Sequence, residues 1–525
     1  MEIRRLNAGL AVAPQIRIAD LEEIMRAGYR SIICNRPEAE DASQPRTADI
    51  EAMAVRVGLG FAHVPVVPGQ IGEADVEAMR AAFEQLPGPV LAYCRSGARS
   101  AKLAELAGLV TPQSGPGGRF DVLLVGGGSA GIATAASIRK RNRDLSIAII
   151  EPSDAHYYQP GWTMVGAGVF GRESTMRREA RLVPPGVTWL KASASGFEPE
   201  EKQVVLCDGS RIGYRILIVC PGLKLDWSAI PGLRETLGQH GVTSNYDYDC
   251  APYTYRLVKG LNGGRALFTQ PPMPIKCAGA PQKAMYLSCY RWEQAGVLKD
   301  IDVQFHTAGA VLFGVAAYVP ALMDYVARYG IHLNFGSKLV GIDGPARTAA
   351  FERSSPDGPV RTEERFDMIH VVPPQVAPDF VAKSPLAAVS GFVEVDEATL
   401  QHVRYADIFA LGDACSASNA KTAGAVRKQA PVVAVNALAA LEGKPLLASY
   451  DGYGSCPLTV EVGKSMLAEF GYGGKLLPSF PNWLIYGTRP SRLSWLLKDT
   501  ILPPLYWHGM LKGREWMVKP HMIGA

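Results

Sequence analysis

The chain has little cysteine, no long apolar run and almost no charge bias, and each shortage removes a class of protein. Nine cysteines among 525 residues are too sparse for a secreted fold stapled by disulfides. Any disulfide here is then expected to be a working one. No 18-residue uninterrupted apolar stretch occurs, so no membrane span is expected. The opening residues Met1 to Asn7 lack the apolar core of a signal peptide, which makes a cytoplasmic location the default. Lys and Arg exceed Asp and Glu by only four, a formal net charge of +4. Phosphate recognition needs a concentrated basic face, so no nucleic-acid partner is expected.

What remains is the composition of a folded protein, 47 % hydrophobic and 20 % charged, in a chain too long for one core. Four regions are expected: residues 1–110, a Thr/Pro/Gln/Ser/Gly linker at 111–118, an α/β body at 119–472, and a tail at 473–525 rich in Trp, Leu, Tyr and Pro.

The body opens on the strand Phe120 to Val125, followed at once by Gly126-Gly127-Gly128-Ser129-Ala130-Gly131 and a helix of small residues. Gly126, Gly128 and Gly131 form the glycine fingerprint of a dinucleotide fold. The glycines permit the tight turn, close approach of a pyrophosphate and close helix–sheet packing. Ser129 and Ala130 complete the turn, which leads into a helix from Ile132 whose free N–H groups and positive dipole end meet the phosphates. A second strand, Ser146 to Ile150, ends in Glu151, where an acid is needed for the adenosine ribose.

A distant element selects FAD over NAD. The strand Tyr405 to Leu411 runs into Gly412-Asp413, with Asp413 placed to accept from a ribityl hydroxyl. The helix that begins near Lys421-Thr422 points its N-terminus at the isoalloxazine.

A second dinucleotide fold is expected at about 250–370, inserted where NADH would bind. Its fingerprint is missing. The loop Pro271 to Pro281 keeps one glycine among several prolines, and the next strand ends in His306-Thr307 rather than an acid. In place of a pyrophosphate cradle the loop offers Cys277 beside Lys276. Cys415, two residues past Asp413, is also expected close to the flavin. Cys277 and Cys415 therefore read as a redox-active pair, with Lys276 and helix N-termini favouring thiolate. Cys34, Cys207 and Cys220 read as core, and Cys250, Cys289 and Cys456 are assigned no chemical partner.

The region from Arg119 onward resembles the sulfide:quinone oxidoreductase family, in its mitochondrial-type branch. The resemblance rests on Tyr157-Tyr158-Gln159-Pro160-Gly161-Trp162, Ile275 to Lys283, Lys421-Thr422-Ala423 and Tyr450 to Leu458. It implies a tandem Rossmann-like flavoprotein with FAD, Gln159 near the cofactor and no metal. It also implies sulfide as donor, ubiquinone as acceptor and a small thiol or sulfite to take the sulfur. In the implied reaction sulfide opens a Cys277–Cys415 disulfide (or trisulfide) to a persulfide and a thiolate. Cys415 is expected nearer the flavin, and Cys277 is expected to carry the outgoing sulfur. The family's pattern as read here puts the second thiol directly after Gly-Asp, where this chain has Ala414 and, one residue on, Cys415.

The tail carries Trp483, Trp495, Trp507 and Trp516 among cations, a mixture suited to a headgroup interface. Peripheral attachment to the inner membrane through this amphipathic segment is expected, as is a homodimer.

At the front, the strand Pro89 to Tyr93 leads into Cys94-Arg95-Ser96-Gly97-Ala98-Arg99 and a helix. Inward-pointing N–H groups, the helix dipole and Arg99 are expected to lower the Cys94 pKa. Four residues separate Cys94 from Arg99, the spacing of rhodanese sulfurtransferases; tyrosine phosphatases use five. The segment resembles the phosphatase-like domain of β-lactamase-hydrolase-like proteins, which implies a phosphatase-like α/β fold with sulfur transfer. Phosphatase activity with Glu38, Glu40 or Asp41 as acid, and a type II NADH:quinone dehydrogenase in the body, are the competing readings.

Overall fold

The computed structural model describes residues 3–6, 9–41, 44–67, 70–109, 118–355 and 358–523. The linker expected at 111–118 falls outside them except for Gly118. Two compact units emerge, Met1–Gln113 and Ser114–Ala525.

In the first unit, apolar tetrapeptides form a sheet. Leu10–Ala13, Val90–Tyr93, Ser31–Cys34 and Gly60–His63 lie side by side in parallel, with Arg4–Arg5 antiparallel at one edge. Because side chains alternate along a strand, each strand feeds two cores. Ala11, Ile32, Leu91 and Tyr93 pack with Leu21, Ile24 and Ile50 on one face. Leu10, Val12, Ile33, Val90 and Ala92 pack with Met79 and Leu103 on the other. A parallel sheet covered on both faces results, as its unbroken apolar strands require. It presents the loop after Tyr93 at the carboxyl ends of the strands, where ligands bind in such folds.

The second unit holds two parallel sheets. In the first, Val187–Leu190, Ile147–Ile150, Arg119–Val125, Arg211–Val219 and Ile408–Ala410 are parallel neighbours. The antiparallel strands Gln203–Leu206 and Ala194–Glu198 extend it. The second sheet runs Val242–Thr243, Met368–His370, Gly264–Gln270, Ile301–Thr307 and His332–Phe335, all parallel. The inserted dinucleotide fold is therefore present, and it takes its first strand from Val242–Thr243, just ahead of the expected start. An antiparallel hairpin, Gly454–Glu461 with Lys464–Phe470, packs on the helix Ala280–Gln294.

The tail is helical from Arg492 to Lys512. The Ser491 hydroxyl caps its start by accepting from the Ser494 N–H. Gly513, at φ 62°, ends it in the left-handed region that favours glycine. Tyr506, Trp507, Met510 and Leu511 are buried in the core of the first sheet. Each large side chain contributes about 1.5–3 kcal/mol by that burial. Trp483, Leu484, Tyr486, Leu493, Leu496 and Ile501 are exposed instead. No helix among the described residues is long and apolar enough to cross a membrane.

Candidate functional site

A cavity of about 720 Å³ runs from the first glycine turn to the hairpin. At one end, Gly126 has φ 109°, and an added Cβ would lie 2.5 Å from the Cys220 carbonyl oxygen. A Cβ on Gly131 would lie 1.9 Å from the Gly126 oxygen. Both positions exclude any side chain. Gly128 caps the helix Ser129–Arg141 in extended backbone, with open space where a Cβ would stand. The helix N-terminus thus faces the cavity without obstruction, as a pyrophosphate requires. Glu151 accepts from the Gly127 N–H at 2.8 Å and from the Ser153 N–H at 2.9 Å, which fixes its carboxylate at the rim of the turn.

At the other end, Gly412, at φ 72°, donates its N–H to Gln429 at 2.9 Å, and Asp413 opens onto the cavity. Burial pushes the Asp413 carboxyl up, against the pull of Lys421 and Lys276. The Thr422 hydroxyl accepts from the Ala425 N–H and starts the helix Ala423–Leu441, whose first turn lines the cavity. Lys421 donates to the Cys415 carbonyl at 2.8 Å, and Lys276 to the Gln159 side chain at 2.6 Å. Burial pushes the Lys276 ammonium down to about 8. A glycine turn with its acid, a second Gly-Asp and a helix N-terminus around one elongated cavity suit FAD. The loop Pro271 to Pro281 and the buried His306, hydrogen-bonded to Ser337, offer no second cradle.

The sulfur chemistry differs from the expectation. Cys277 lies 3.1 Å from Cys456, not against Cys415. Lys283 stands 3.2 Å from the Cys277 sulfur and 3.5 Å from that of Cys456. All three line or adjoin the cavity: Cys277 in the loop, Lys283 in the first turn of the helix Ala280–Gln294, and Cys456 in the hairpin strand. An added Cβ on Gly279 would lie 2.8 Å from the Cys456 sulfur, so glycine there lets strand and loop meet. Cys277 itself has φ 87°, a costly conformation for a residue with a Cβ.

The Cys456 thiol donates to Cys277, and with Lys283 it outweighs burial to hold the Cys277 pKa well below its usual value. Donating to Cys277, together with burial, raises Cys456 in turn. The pair thus favours negative charge on Cys277 over Cys456. A second cation, Lys498 of the tail, is buried and donates to the Pro160 carbonyl at 2.8 Å. Burial and Lys283 push it down to about 7.

Cys415 points the other way. Its sulfur donates to the Gly412 carbonyl at 3.3 Å and is fully buried in the core of the first sheet, where burial raises its pKa. Following Gly-Asp in sequence places a residue near the flavin, but the backbone between Gly412 and Cys415 turns its side chain into the core. Cys456, Lys283 and Lys498 were missed. Cys456 and Lys283 lie within stretches that carry the family resemblance, and that was their only signal.

In the first unit, Cys94 is buried at the base of its loop. Burial pushes its thiol up, but the N–H and hydroxyl of Ser100 and the N–H groups of Ser96 and Arg99 overcome this, leaving the pKa lowered. The Arg99 guanidinium is engaged elsewhere. It donates to the Asn35 and Val66 carbonyls at 3.3 and 2.8 Å and to Glu40 at 2.6 Å. Arg36 holds the other Glu40 oxygen, also at 2.6 Å. Arg99 therefore acts on Cys94 through its backbone N–H, where its charge was expected to serve.

Two glycine-bounded cofactor elements and a thiol pair on one cavity define a flavin-dependent oxidoreductase of the disulfide-exchanging class, and FAD is its cofactor. Residues 120–251 match the pyridine nucleotide-disulphide oxidoreductase family model. The chain is 41 % identical over 401 residues to the mitochondrial sulfide:quinone oxidoreductase of Dictyostelium discoideum, covering 76 % of this chain and 87 % of that protein. It belongs to the sulfide:quinone oxidoreductase family. The solved enzyme of that name from Aquifex aeolicus shares the fold, with a TM-score of 0.63 at 18 % identity over 77 % of this chain and 97 % of that one. Residues 2–109 match the phosphatase-like domain of β-lactamase hydrolase-like proteins. The Xylella fastidiosa protein of that name is 37 % identical over 110 residues, 21 % of this chain and 26 % of its own length.

Proposed function

We propose that this protein oxidises sulfide and reduces a quinone, using Cys277 and Cys456 as its sulfur-carrying pair. The observation that carries the proposal is the 3.1 Å approach of the two sulfurs beneath Lys283. In the disulfide state, hydrosulfide attacks the sulfur whose partner leaves more readily. A thiol of lower pKa leaves faster, and Cys277 is the one held low. Attack therefore falls on Cys456, which keeps the incoming sulfur as a persulfide while Cys277 departs as a thiolate. This reverses the expected assignment of the outgoing sulfur to Cys277. Lys283 balances the charge that appears on Cys277. A small thiolate then takes the outer sulfur from Cys456, which takes up a proton and leaves the pair reduced, with the charge on Cys277. Bound FAD supplies the two-electron acceptor that returns the pair to the disulfide and hands the electrons to quinone.

The exposed aromatic and apolar side chains from Trp483 to Ile501 support docking at a bilayer surface, where the quinone resides. In the first unit, Cys94 acts as a sulfane-sulfur acceptor: a persulfide R–S–SH gives Cys94–S–SH and RS⁻. Pairing of Arg99 with Glu40 favours this over phosphatase chemistry, because it cancels the charge a phosphate dianion needs.

The test is anaerobic flavin absorbance on adding sulfide, then a soluble ubiquinone. Bleaching by sulfide and recovery with quinone, both lost in Cys277→Ser and Cys456→Ser but kept in Cys415→Ser, is the expected result. A flavin that sulfide leaves oxidised while NADH reduces it overturns the reading.

A further inference from the structure

Glu179 is buried to 1 % exposure, and its Oε1 has no hydrogen-bond partner. It lines the cofactor cavity next to the glycine turn. An added Cβ on Gly127 would lie 2.6 Å from Glu179 Oε1 and 2.6 Å from Glu151 Cγ, so the two acids flank the same residue. An orphaned carboxylate oxygen in the interior costs about 1–3 kcal/mol, and such an atom beside a ligand cavity marks a place that the ligand completes.

Its other oxygen is tied down. Glu179 Oε2 lies 3.1 Å from His156 Nδ1, and His156 Nε2 lies 2.6 Å from the Tyr506 hydroxyl. All three side chains are buried. One set of protons satisfies the chain: the Tyr506 O–H donates to Nε2, and Nδ1–H donates to Glu179. Tyr506 belongs to the tail, 350 residues beyond His156. The tail is fastened there by further contacts. Glu515 accepts from Ser137 at 2.7 Å and from both Arg141 Nη atoms at 2.6 and 2.8 Å. The Arg177 guanidinium lies 5.0 Å from the Trp507 ring centre.

We propose that Glu179 is a second cofactor-contacting carboxylate, meeting the adenosine ribose beside Glu151, and that Tyr506 is a positioning residue that holds it there through His156. The tail is thereby part of the FAD site. The inference rests on FAD occupying the cavity. Glu179 Oε1 accepts a ribose hydroxyl and loses its orphan status when the cofactor binds. Tyr506 also lines the cavity, and its hydroxyl acts on the acid by fixing the imidazole that fixes it.

The experiment uses purified full-length holoenzyme. FAD release on dilution is followed by the rise of flavin fluorescence in wild type, Glu179→Ala and Tyr506→Phe, the last of which keeps its ring packing. Release is expected to quicken about tenfold in Glu179→Ala and about threefold in Tyr506→Phe. Melting of apo and FAD-reconstituted protein separates contact from mere structure: the rise in Tm on adding FAD shrinks in both variants. Binding of FMN, which lacks the adenosine, is expected to be unchanged. Wild-type FAD release in both variants, an undiminished Tm rise, or FMN weakened as much as FAD overturns the inference. A wild-type protein that binds no FAD at all overturns the cofactor reading instead.

Discussion

The two thiol sites of this chain lower a cysteine pKa by opposite means. At Cys94 negative charge on the sulfur is favoured by one short stretch of backbone, with the N–H groups of Ser96, Arg99 and Ser100 converging on a single sulfur. At Cys277 it is held by side chains from separate elements, Lys283 from a helix and Cys456 from a hairpin 179 residues away. A backbone cradle stabilises charge through fixed dipoles that exist as soon as strand, turn and helix form. An assembled pair needs the whole domain folded before either sulfur finds its partner. The second arrangement offers what the first lacks: another sulfur within bonding reach, and hence a site that stores two electrons.

Breaking this contrast gives graded outcomes. Cys277→Ser or Cys456→Ser is expected to slow flavin reduction by sulfide on the order of 10³-fold or more, since the two act as a unit. Stopped-flow absorbance measures this, and Cys415→Ser stays within about threefold of wild type because its sulfur is buried and serine keeps a donor for the Gly412 carbonyl. Cys94→Ser is expected to abolish transfer of sulfur from glutathione persulfide to Cys94, followed by mass spectrometry, while flavin reduction by sulfide keeps its wild-type rate. Equal loss of both activities would merge the two sites into one.

The pH profile sharpens the comparison further. Alkylation by iodoacetamide follows the thiolate fraction, so a depressed pKa places its inflection at lower pH than that of an ordinary thiol. Lys283→Met removes the cation beside Cys277, moves the inflection to higher pH and slows alkylation at pH 7 about ten- to a hundredfold. Ser100→Ala takes from Cys94 only one hydroxyl among several donors. Its inflection moves the same way, with about a threefold slowing.

The same contrast explains what was legible in the sequence. The Cys94 loop, the Gly126 to Gly131 turn with Glu151, and Gly412-Asp413 are local, each a strand that ends in a turn of fixed chemistry. Each of these turns could be read from local sequence, and the second dinucleotide fold was expected from the flavoprotein pattern without its fingerprint. Cys456 was not, because its chemistry depends on a hairpin packing against a helix start, which no spacing reveals. Cys415 was misplaced for the converse reason: nearness along the chain fixed its position but not the direction of its side chain. Lys498, Glu179 and His156 gain their meaning only when the tail folds back onto the first sheet.

That fold-back has a practical consequence for anyone handling the protein. A greasy carboxyl-terminal segment invites removal to improve solubility. Here truncation before Arg492 would strip Lys498 from beside the thiol pair and Tyr506 from beside His156. It would also uncover the core that Tyr506, Trp507, Met510 and Leu511 fill, so the shortened enzyme is expected to be less soluble as well as worse at its work. Replacing the exposed Trp483, Tyr486, Leu493 and Leu496 with polar residues is expected to improve solubility and leaves the interior of the tail in place.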